Sequence, residues 1–263
     1  MCAGLTAIRM AFEGRYTLAL AGIVFAAILD GIDGRLARLL KGASRFGAAL
    51  DSLSDFVCFG VAPALILYFW DLHELKSAGW IAGLVFAICA CLRLARFNVM
   101  IDDPDKPAWT ANFFVGMPAP MGAITVLLPI YAVFLGLPRS TPLTWLTLFY
   151  TLSIASLMVS RLPVFSGKRV GTRVPPEMVG PLIVVLVLSI ALLVAYPWVL
   201  LTAGTLAYLV CLPFGWLSYR AHERRSLETK PETAPGTAAV GAPSVIAGPV
   251  RPAENDDRPS RLN

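Results

Sequence analysis

The chain has 263 residues, of which 57% are hydrophobic and only 15% are charged, and its mean hydropathy is +0.68. Soluble domains average about 45–50% apolar and about 25% charged residues, so this composition excludes an ordinary soluble domain and predicts an integral membrane protein. The net charge is +5. Because the basic residues flank apolar runs, we expect membrane lipids and no nucleic acid among the partners.

Apolar runs of helical length follow one another along most of the chain. A bilayer core of about 30 Å requires about 20 apolar residues in a helix. Eight candidate spans are predicted, at residues 1–12, 16–34, 47–71, 78–98, 117–137, 142–161, 178–196 and 197–217. The first is too short to cross a bilayer alone, and we interpret it as a truncated first span. The expected fold class is therefore all-α, a polytopic membrane helix bundle.

Basic clusters follow every second span, whereas the alternate connections carry few basic residues. Since cytoplasmic flanks carry the excess of Lys and Arg, these clusters predict the cytoplasmic side. The clusters are Arg35, Arg38, Lys41 and Arg45; Arg93 and Arg96; Arg161, Lys168, Arg169 and Arg173; and Arg220, Arg224 and Arg225. We accordingly divide the chain into a transmembrane catalytic domain, 1–217, and a cytoplasmic segment, 218–263. That segment is basic and then rich in Pro, Ala and Gly, a composition typical of a disordered tail.

Four aspartates stand where the second and third spans meet. Asp30 and Asp33 are three residues apart and Asp51 and Asp55 are four apart, so each pair shares one helix face. A short basic turn joins the two helices, and all four carboxylates can therefore converge on one small volume. Carboxylates near a membrane interior are costly and usually mark a function. Oxygen ligands of this kind suit Mg²⁺, Mn²⁺ or Ca²⁺, and two such ions can hold phosphate oxygens during displacement at phosphorus.

Small residues and one arginine accompany the aspartates. Gly34 and Ala37 are three apart, and Gly47 opens the third span. Small side chains allow close helix approach or leave room for a substrate. Arg38 can offer a bidentate hydrogen-bonding fork to a phosphate.

This stretch resembles a known signature. Its fixed residues agree with those of the CDP-alcohol phosphotransferases at every position: Asp30-x-x-Asp33-Gly34-x-x-Ala37-Arg38, eight residues, then Gly47-x-x-x-Asp51-x-x-x-Asp55. The resemblance implies an integral membrane enzyme with six core helices, here followed by about two further spans. Such enzymes attack a CDP-linked lipid or alcohol with a hydroxyl group and release CMP. It also implies a homodimer.

The resemblance assigns roles to the matching positions. Asp30, Asp33, Asp51 and Asp55 would bind two divalent cations, Mg²⁺ or Mn²⁺, that hold the pyrophosphate. Asp51 and Asp55 would be catalytic, with Asp55 as the general base for the attacking hydroxyl. The residues expected to line the CDP site are Gly34, Ala37, Arg38 and Gly47.

Two later stretches concern the acceptor. "CLRLARFNV" (91–99) and "FFVGMPAPMGA" (113–123) resemble the phosphatidylserine synthase branch, which implies CDP-diacylglycerol and L-serine as substrates and a bacterial inner-membrane location. Arg93 or Arg96 could pair with the carboxylate of serine, and Asn98 lies just beyond them.

Two alternatives stay open. The same arginines could bind the phosphate of glycerol 3-phosphate, as in a phosphatidylglycerophosphate synthase. Clustered carboxylates also occur in ion and proton transporters, but those usually carry broken helices in two repeated halves. Here the sequence shows a single cluster at one end of the spans.

Overall fold

The computed structural model describes residues 1–39, 45–101, 113–160, 163–165 and 176–228. Helices make up nearly all of this part of the chain. In chain order they are α1 (Cys2–Phe12), α2 (Tyr16–Leu39), α3 (Arg45–Asp55), a π-helical turn (Phe56–Val61), α4 (Ala62–Trp70), a 3₁₀ turn (Leu72–Leu75), α5 (Ser77–Ile101), α6 (Ala119–Val126), α7 (Leu128–Phe134), α8 (Thr141–Val159), α9 (Pro176–Ala195) and α10 (Pro197–Glu228).

Four helical stretches in the described residues are long and apolar enough to cross a membrane. They are Tyr16–Gly34, Phe46–Trp70, Ser77–Met100 and Thr141–Val159. A fifth candidate is the pair Ile183–Ala195 and Pro197–Leu212, which bends by 119° at Tyr196. Many large apolar side chains on these helices are exposed, as expected where a helix faces lipid. The predicted fold class, an all-α polytopic membrane bundle, is confirmed.

The second of these stretches carries Asp51 and Asp55 and is continuous through three elements. Helix α3 leads directly into the π-helical turn, and α4 follows without a break. Pro63 has no backbone N–H, so the α-helical bond to the carbonyl of Phe59 cannot form there. A π-helical turn includes an extra residue and so changes which faces of the helix align across it. The turn begins immediately after Asp55, at the site described below.

The predicted span 117–137 differs from the structure, which has two short helices, α6 and α7, separated at Leu127. Pro129 explains the interruption, because it cannot donate a backbone hydrogen bond to the carbonyl of Thr125. The hydroxyl of Tyr150 on α8 donates to that carbonyl instead, at 2.8 Å. The broken helix is therefore stabilised by its neighbour.

A small antiparallel ribbon precedes this broken helix. Strand β1 (Phe113–Val115) pairs with β2 (Pro163–Phe165), with Phe113 opposite Phe165. Gly116 follows with φ of +81°, and a Cβ atom there would lie 2.9 Å from the carbonyl oxygen of Met158. Only glycine fits this turn without strain.

Helix α1 has 11 residues and is too short to cross a bilayer, as predicted. It packs on α2 and α4, and buries Gly4, Ala7 and Ala11. A Cβ atom on Gly4 would lie 2.9 Å from the Cα of Cys58. Small residues thus let α1 contact the π-helical turn closely, next to the aspartates.

The last helix is longer than predicted. Helix α10 continues to Glu228, whereas the predicted span ended at residue 217. Residues 218–228 contain several Arg and Glu residues, which are strong helix formers and can extend a helix beyond the apolar span. The remainder of the predicted tail, 229–263, lies outside the described residues.

Candidate active site

Three of the four predicted aspartates form a tight group. Asp30 on α2 and Asp51 and Asp55 on α3 each present a carboxylate oxygen, and these three oxygens lie within 4.8 Å of one another. Asp30 and Asp55 are half-buried, and Asp51 is exposed. The four-residue spacing on α3 places Asp51 and Asp55 one above the other, facing α2. The predicted convergence of α2 and α3 is therefore observed for these residues.

Asp33 is not part of that group. It is exposed and lines the same cavity as the other three aspartates. Three residues correspond to somewhat less than one helical turn, so Asp33 lies about 5 Å farther along α2 than Asp30. Its carboxylate stands at the margin of the group.

Among the side chains that the structure describes, the acidic group has too little positive charge nearby to balance it. The carboxylates of Asp30 and Asp55 are within hydrogen-bonding distance of each other, and Asp51 also repels Asp30 and Asp55. The cation that interacts with both Asp30 and Asp55 is Arg93 on α5. One guanidinium cannot neutralise three carboxylates, and a bound divalent cation would supply the missing charge.

The donor set fits such a cation. Mg²⁺ and Ca²⁺ bind carboxylate oxygens at about 2.0–2.6 Å, so oxygens this close together can share one ion. His, Cys and Glu do not contribute to the group within the described part of the chain, which favours an oxygen-preferring ion over zinc. Asp33 is placed to contribute a further ligand at the exposed side.

A cavity of about 540 Å³ extends from these carboxylates. All four aspartates line it, together with Ser54 and the chain's first residues. The rest of its wall is mostly small or apolar. Those side chains come largely from α1 and α2 and include Ala3, Ala7, Leu18, Phe25, Ala26 and Leu29. The cavity is therefore amphipathic, with acidic groups at one end and an apolar wall beyond them.

The residues predicted to line the CDP site are only partly described. Gly34 has open space around it, since a Cβ atom there would meet nothing within 4 Å. Gly47 is exposed on α3. Ala37 and Arg38 belong to α2, but their side chains lie outside the described part of the structure. Gly34 and Gly47 stand on the two helices that carry the aspartates.

The residues predicted to bind the acceptor all lie near the end of α5. Arg96 donates a hydrogen bond of 2.7 Å to the carbonyl oxygen of Val159, the last residue of α8. Asn98 donates to the hydroxyl of Ser52 at 2.9 Å, which joins α5 to α3. Arg93 lies over the ring of Phe97 at 5.4 Å and interacts with Asp30 and Asp55. Of the three, Arg93 is the residue that the fold brings to the carboxylates.

Sequence reasoning missed two polar residues near this site. Ser52 lies next to Asp51 in the motif and holds Asn98, and its position inside the motif was the available signal. Tyr208 on α10 interacts with Arg93, although 115 positions separate the two in the chain. A single tyrosine in an apolar run carries no signal of such a contact.

Fold and site together define a helical membrane protein with a carboxylate cluster suited to divalent cations. The sequence matches the models of two protein families. Residues 1–153 match the "CDP-alcohol phosphatidyltransferase" model, and residues 177–213 match the "CDP-alcohol phosphatidyltransferase 2" model. The first match contains every residue of the acidic motif. Members of this family generally depend on divalent metal ions.

Curated relatives extend the match over most of the chain. The CDP-diacylglycerol–serine O-phosphatidyltransferase of Mycobacterium leprae is 42% identical over 234 residues, which is 88% of this chain and 75% of the relative. The enzyme of that name from Mycobacterium bovis is 41% identical over 256 residues, or 96% of this chain and 87% of the relative. One from Helicobacter pylori is 39% identical over 125 residues, 48% of this chain and 51% of the relative. The chain belongs to the CDP-alcohol phosphatidyltransferase family, as the motif predicted.

Proposed function

We propose that the protein transfers a phosphatidyl group from CDP-diacylglycerol to L-serine, forming phosphatidylserine and CMP. The observation that carries this proposal is the amphipathic cavity, which joins an acidic, cation-binding end to an apolar wall. The names of relatives that match 88% and 96% of the chain support serine as the acceptor.

The cavity suits the lipid donor. Acyl chains can lie along the apolar side chains of α1 and α2, while the pyrophosphate lies against the aspartates. Asp30, Asp33, Asp51 and Asp55 would hold two divalent cations, Mg²⁺ or Mn²⁺. When bound, these ions neutralise the pyrophosphate and stabilise the charge that develops on the departing CMP. The open space around Gly34 accommodates the CDP moiety.

The chemistry is a displacement at phosphorus. The hydroxyl oxygen of serine bonds to the phosphorus that carries diacylglycerol, and the bond from that phosphorus to the CMP oxygen breaks. CMP leaves with the electron pair. A carboxylate oxygen of Asp55 accepts the hydroxyl proton. Asp30, within hydrogen-bonding distance, orients Asp55, and Asp51 completes the ligand set on the same helix face.

The acceptor approaches from the α5 side of the carboxylates. Arg93 offers a guanidinium to the serine carboxylate and also interacts electrostatically with Asp55. Arg96 and Asn98 belong to the same region, where their hydrogen bonds to Val159 and Ser52 fix the end of α5 against α8 and α3. Arg96 would contribute through its remaining N–H groups.

The site is proposed to face the cytoplasm of a bacterial inner membrane. The alternation of basic clusters along the chain supports this orientation. Residues 1–217 would form the catalytic domain, which agrees with family matches that end at residue 213. A homodimer stays a prediction, testable by light scattering of the protein in detergent.

The direct test measures CMP release by the purified full chain in detergent with CDP-diacylglycerol. L-serine, glycerol 3-phosphate and inositol are offered separately, each with Mg²⁺, Mn²⁺ or EDTA. The proposal expects release that requires serine and is abolished by EDTA. Release with glycerol 3-phosphate alone would preserve the transfer chemistry and reject serine. No release with any acceptor, from protein that stays folded, would reject the proposed activity.

A further inference from the structure

Helix α10 carries three buried hydroxyl groups at three-residue intervals. Thr202, Thr205 and Tyr208 therefore lie along one face of the helix. None of the three hydroxyl oxygens has a hydrogen-bond partner among the described residues. The helix packs against α6 and α7, so this face points into the bundle. Buried hydroxyls are normally satisfied, and an unsatisfied row indicates a place for a polar ligand or water.

Arg93 presents a further unsatisfied donor in this region. Its Nε atom is buried and has no hydrogen-bond partner in the described part of the chain. Its guanidinium interacts electrostatically with Tyr208, Asp55 and Asp30. Two side chains from distant parts of the chain thus interact with each other and each keep an unused donor, a guanidinium N–H and a phenolic O–H, and Arg93 also interacts with the acidic group.

The charges around these donors restrict what can bind. A cation would be repelled by Arg93, and a neutral acceptor would form a weaker hydrogen bond with the guanidinium than an anionic one. An anionic oxygen acceptor can take a hydrogen bond from both donors. The neighbouring Asp30 and Asp55 repel any anion that is not held by Arg93, so the anion must lie on the Arg93 and Tyr208 side. A carboxylate attached to a short alcohol would satisfy this arrangement and leave the hydroxyl near Asp55.

We propose that Tyr208 is a specificity-determining residue, whose phenolic O–H binds the carboxylate of the acceptor together with Arg93. This inference rests on the proposed function, and it gives α10, which lies outside the 1–153 family match, a role in selecting the acceptor. Thr205 and Thr202 precede Tyr208 along the same face of α10 and supply two further buried hydroxyl groups without a partner among the described residues.

The test removes a single oxygen atom, the phenolic oxygen of Tyr208. Tyr208→Phe removes the phenolic hydroxyl and keeps the ring, while Tyr196→Phe makes the same change at an exposed tyrosine where α9 meets α10. For each full-length variant, KM is measured for L-serine and for CDP-diacylglycerol. Ethanolamine, which has the amino and hydroxyl groups of serine but lacks the carboxylate, serves as a second acceptor.

Loss of a hydrogen bond to a charged group predicts a rise of about tenfold or more in the KM for L-serine in Tyr208→Phe. The KM for CDP-diacylglycerol and the turnover of ethanolamine should not change. Tyr196→Phe should match the unmodified protein in every constant. Because a KM and a ratio of two acceptors do not depend on the folded fraction, partial loss of folded protein does not obscure the result.

Three results would overturn the inference: an unchanged KM for L-serine, an equal loss with serine and ethanolamine, or an equal rise in both substrate KM values. If Tyr208→Phe does not fold, Tyr208→Gln and Tyr208→Leu replace it. The glutamine amide can donate a hydrogen bond, so equal KM values for serine in these two variants would also reject the role. Failure of the unmodified chain to use serine would instead reject the proposed function itself.

Discussion

The span Phe46–Trp70 has carboxylates at both of its ends, and the two ends differ in how those carboxylates are partnered. At one end, Asp51 and Asp55 meet Asp30, and among the described side chains Arg93 is a guanidinium that interacts with both Asp30 and Asp55. Immediately beyond the other end, Asp71 is only 5% exposed and accepts a 3.1 Å hydrogen bond from the hydroxyl of Thr144. One end accumulates negative charge that the described residues do not balance, whereas the other buries one acid beside a specific donor.

The surroundings of Asp71 belong to the packing of the helix ends. Arg139 lies over the ring of Trp70 at 4.7 Å and interacts favourably with Asp71. Burial raises the pKa of Asp71, and the hydrogen bond from Thr144 partly opposes this rise. The comparison shows that the partners of an acid beside an apolar span indicate whether its role is structural or cation-binding. A partnered acid joins helices, and a group of acids without sufficient counter-charge marks a cation site.

The largest effect is expected from removing a carboxylate at the crowded end. Asp51→Asn or Asp55→Asn should lower CMP release by at least about a thousandfold, because a metal ligand and the proposed proton acceptor are lost. Both variants should remain inserted and folded, since the substitutions relieve repulsion between acids. Near-normal turnover in both variants would reject the two-metal assignment. Thermal unfolding in detergent is the control for folding.

An intermediate effect is expected at the acceptor side, where two arginines separated by one turn have different partners. Arg93→Ala should raise the KM for serine about ten- to a hundredfold, as expected for the loss of a charged hydrogen-bonding partner. Arg96→Ala also loses the bond to Val159, so we expect lower thermal stability together with its effect on serine. A KM for serine unchanged in Arg93→Ala would remove that residue from the acceptor pocket.

A smaller effect is expected at Gly34. Gly34 and Gly31 both lie on α2 with nothing within 4 Å of a Cβ atom, so Ala fits the protein at either position. Gly34→Ala should raise the KM for CDP-diacylglycerol several-fold because the added methyl group occupies substrate space. Gly31→Ala is the matched control, and both variants should gain up to about 1 kcal/mol of helix stability. Equal KM values would exclude Gly34 from the CDP site.

The smallest effect on activity is expected at the opposite end. Thr144→Val removes the donor to Asp71 and should cost about 1–3 kcal/mol of stability at neutral pH, with turnover per folded molecule unchanged. A loss of turnover that exceeds the loss of folded protein would contradict the separation between the two ends.

The pH dependence of stability sharpens this point. Because the pKa of Asp71 is raised in the folded protein, the folded state retains a proton that the unfolded state releases near pH 4. The contribution of Asp71 to the free energy of unfolding is therefore fully present below that pH. It is lost as the pH rises through the pKa of Asp71 in the folded protein. Asp71→Asn cannot ionise, so its melting temperature relative to the unmodified protein should rise from pH 4 to pH 7. A relative fall over that range would contradict the assignment.

The sequence predicted the four single-helix spans and three members of the acidic group for identifiable reasons, whereas the two last predicted spans form one pair bent by 119°. Helical spacing places Asp51 and Asp55 on one face, and the short connection brings Asp30 opposite them. The same spacing argument placed Asp33 in the group, but the structure leaves it outside the three clustered aspartates. Three residues along a helix also displace a side chain along the helix axis. The break at Leu127 had a signal in Pro129, which an argument based on hydropathy alone did not use.

Other features depend on contacts between distant residues. The bonds from Asn98 to Ser52 and from Arg96 to Val159 arise from how α5 packs on its neighbours, and no local pattern encodes them. The same holds for the electrostatic interaction between Tyr208 and Arg93. Pairing of this kind is decided by tertiary packing.

The most direct test of the central claim is Mn²⁺ binding, followed by electron paramagnetic resonance in detergent with CDP-diacylglycerol present. Unmodified protein, Asp51→Asn, Asp55→Asn and Asp71→Asn are titrated in parallel. We predict that the unmodified protein and Asp71→Asn bind two Mn²⁺ ions per chain, and that the other two variants lose at least one of them. Undiminished binding in Asp51→Asn and Asp55→Asn, or no binding by the unmodified protein, would contradict the assignment of the acidic group as the metal-binding centre.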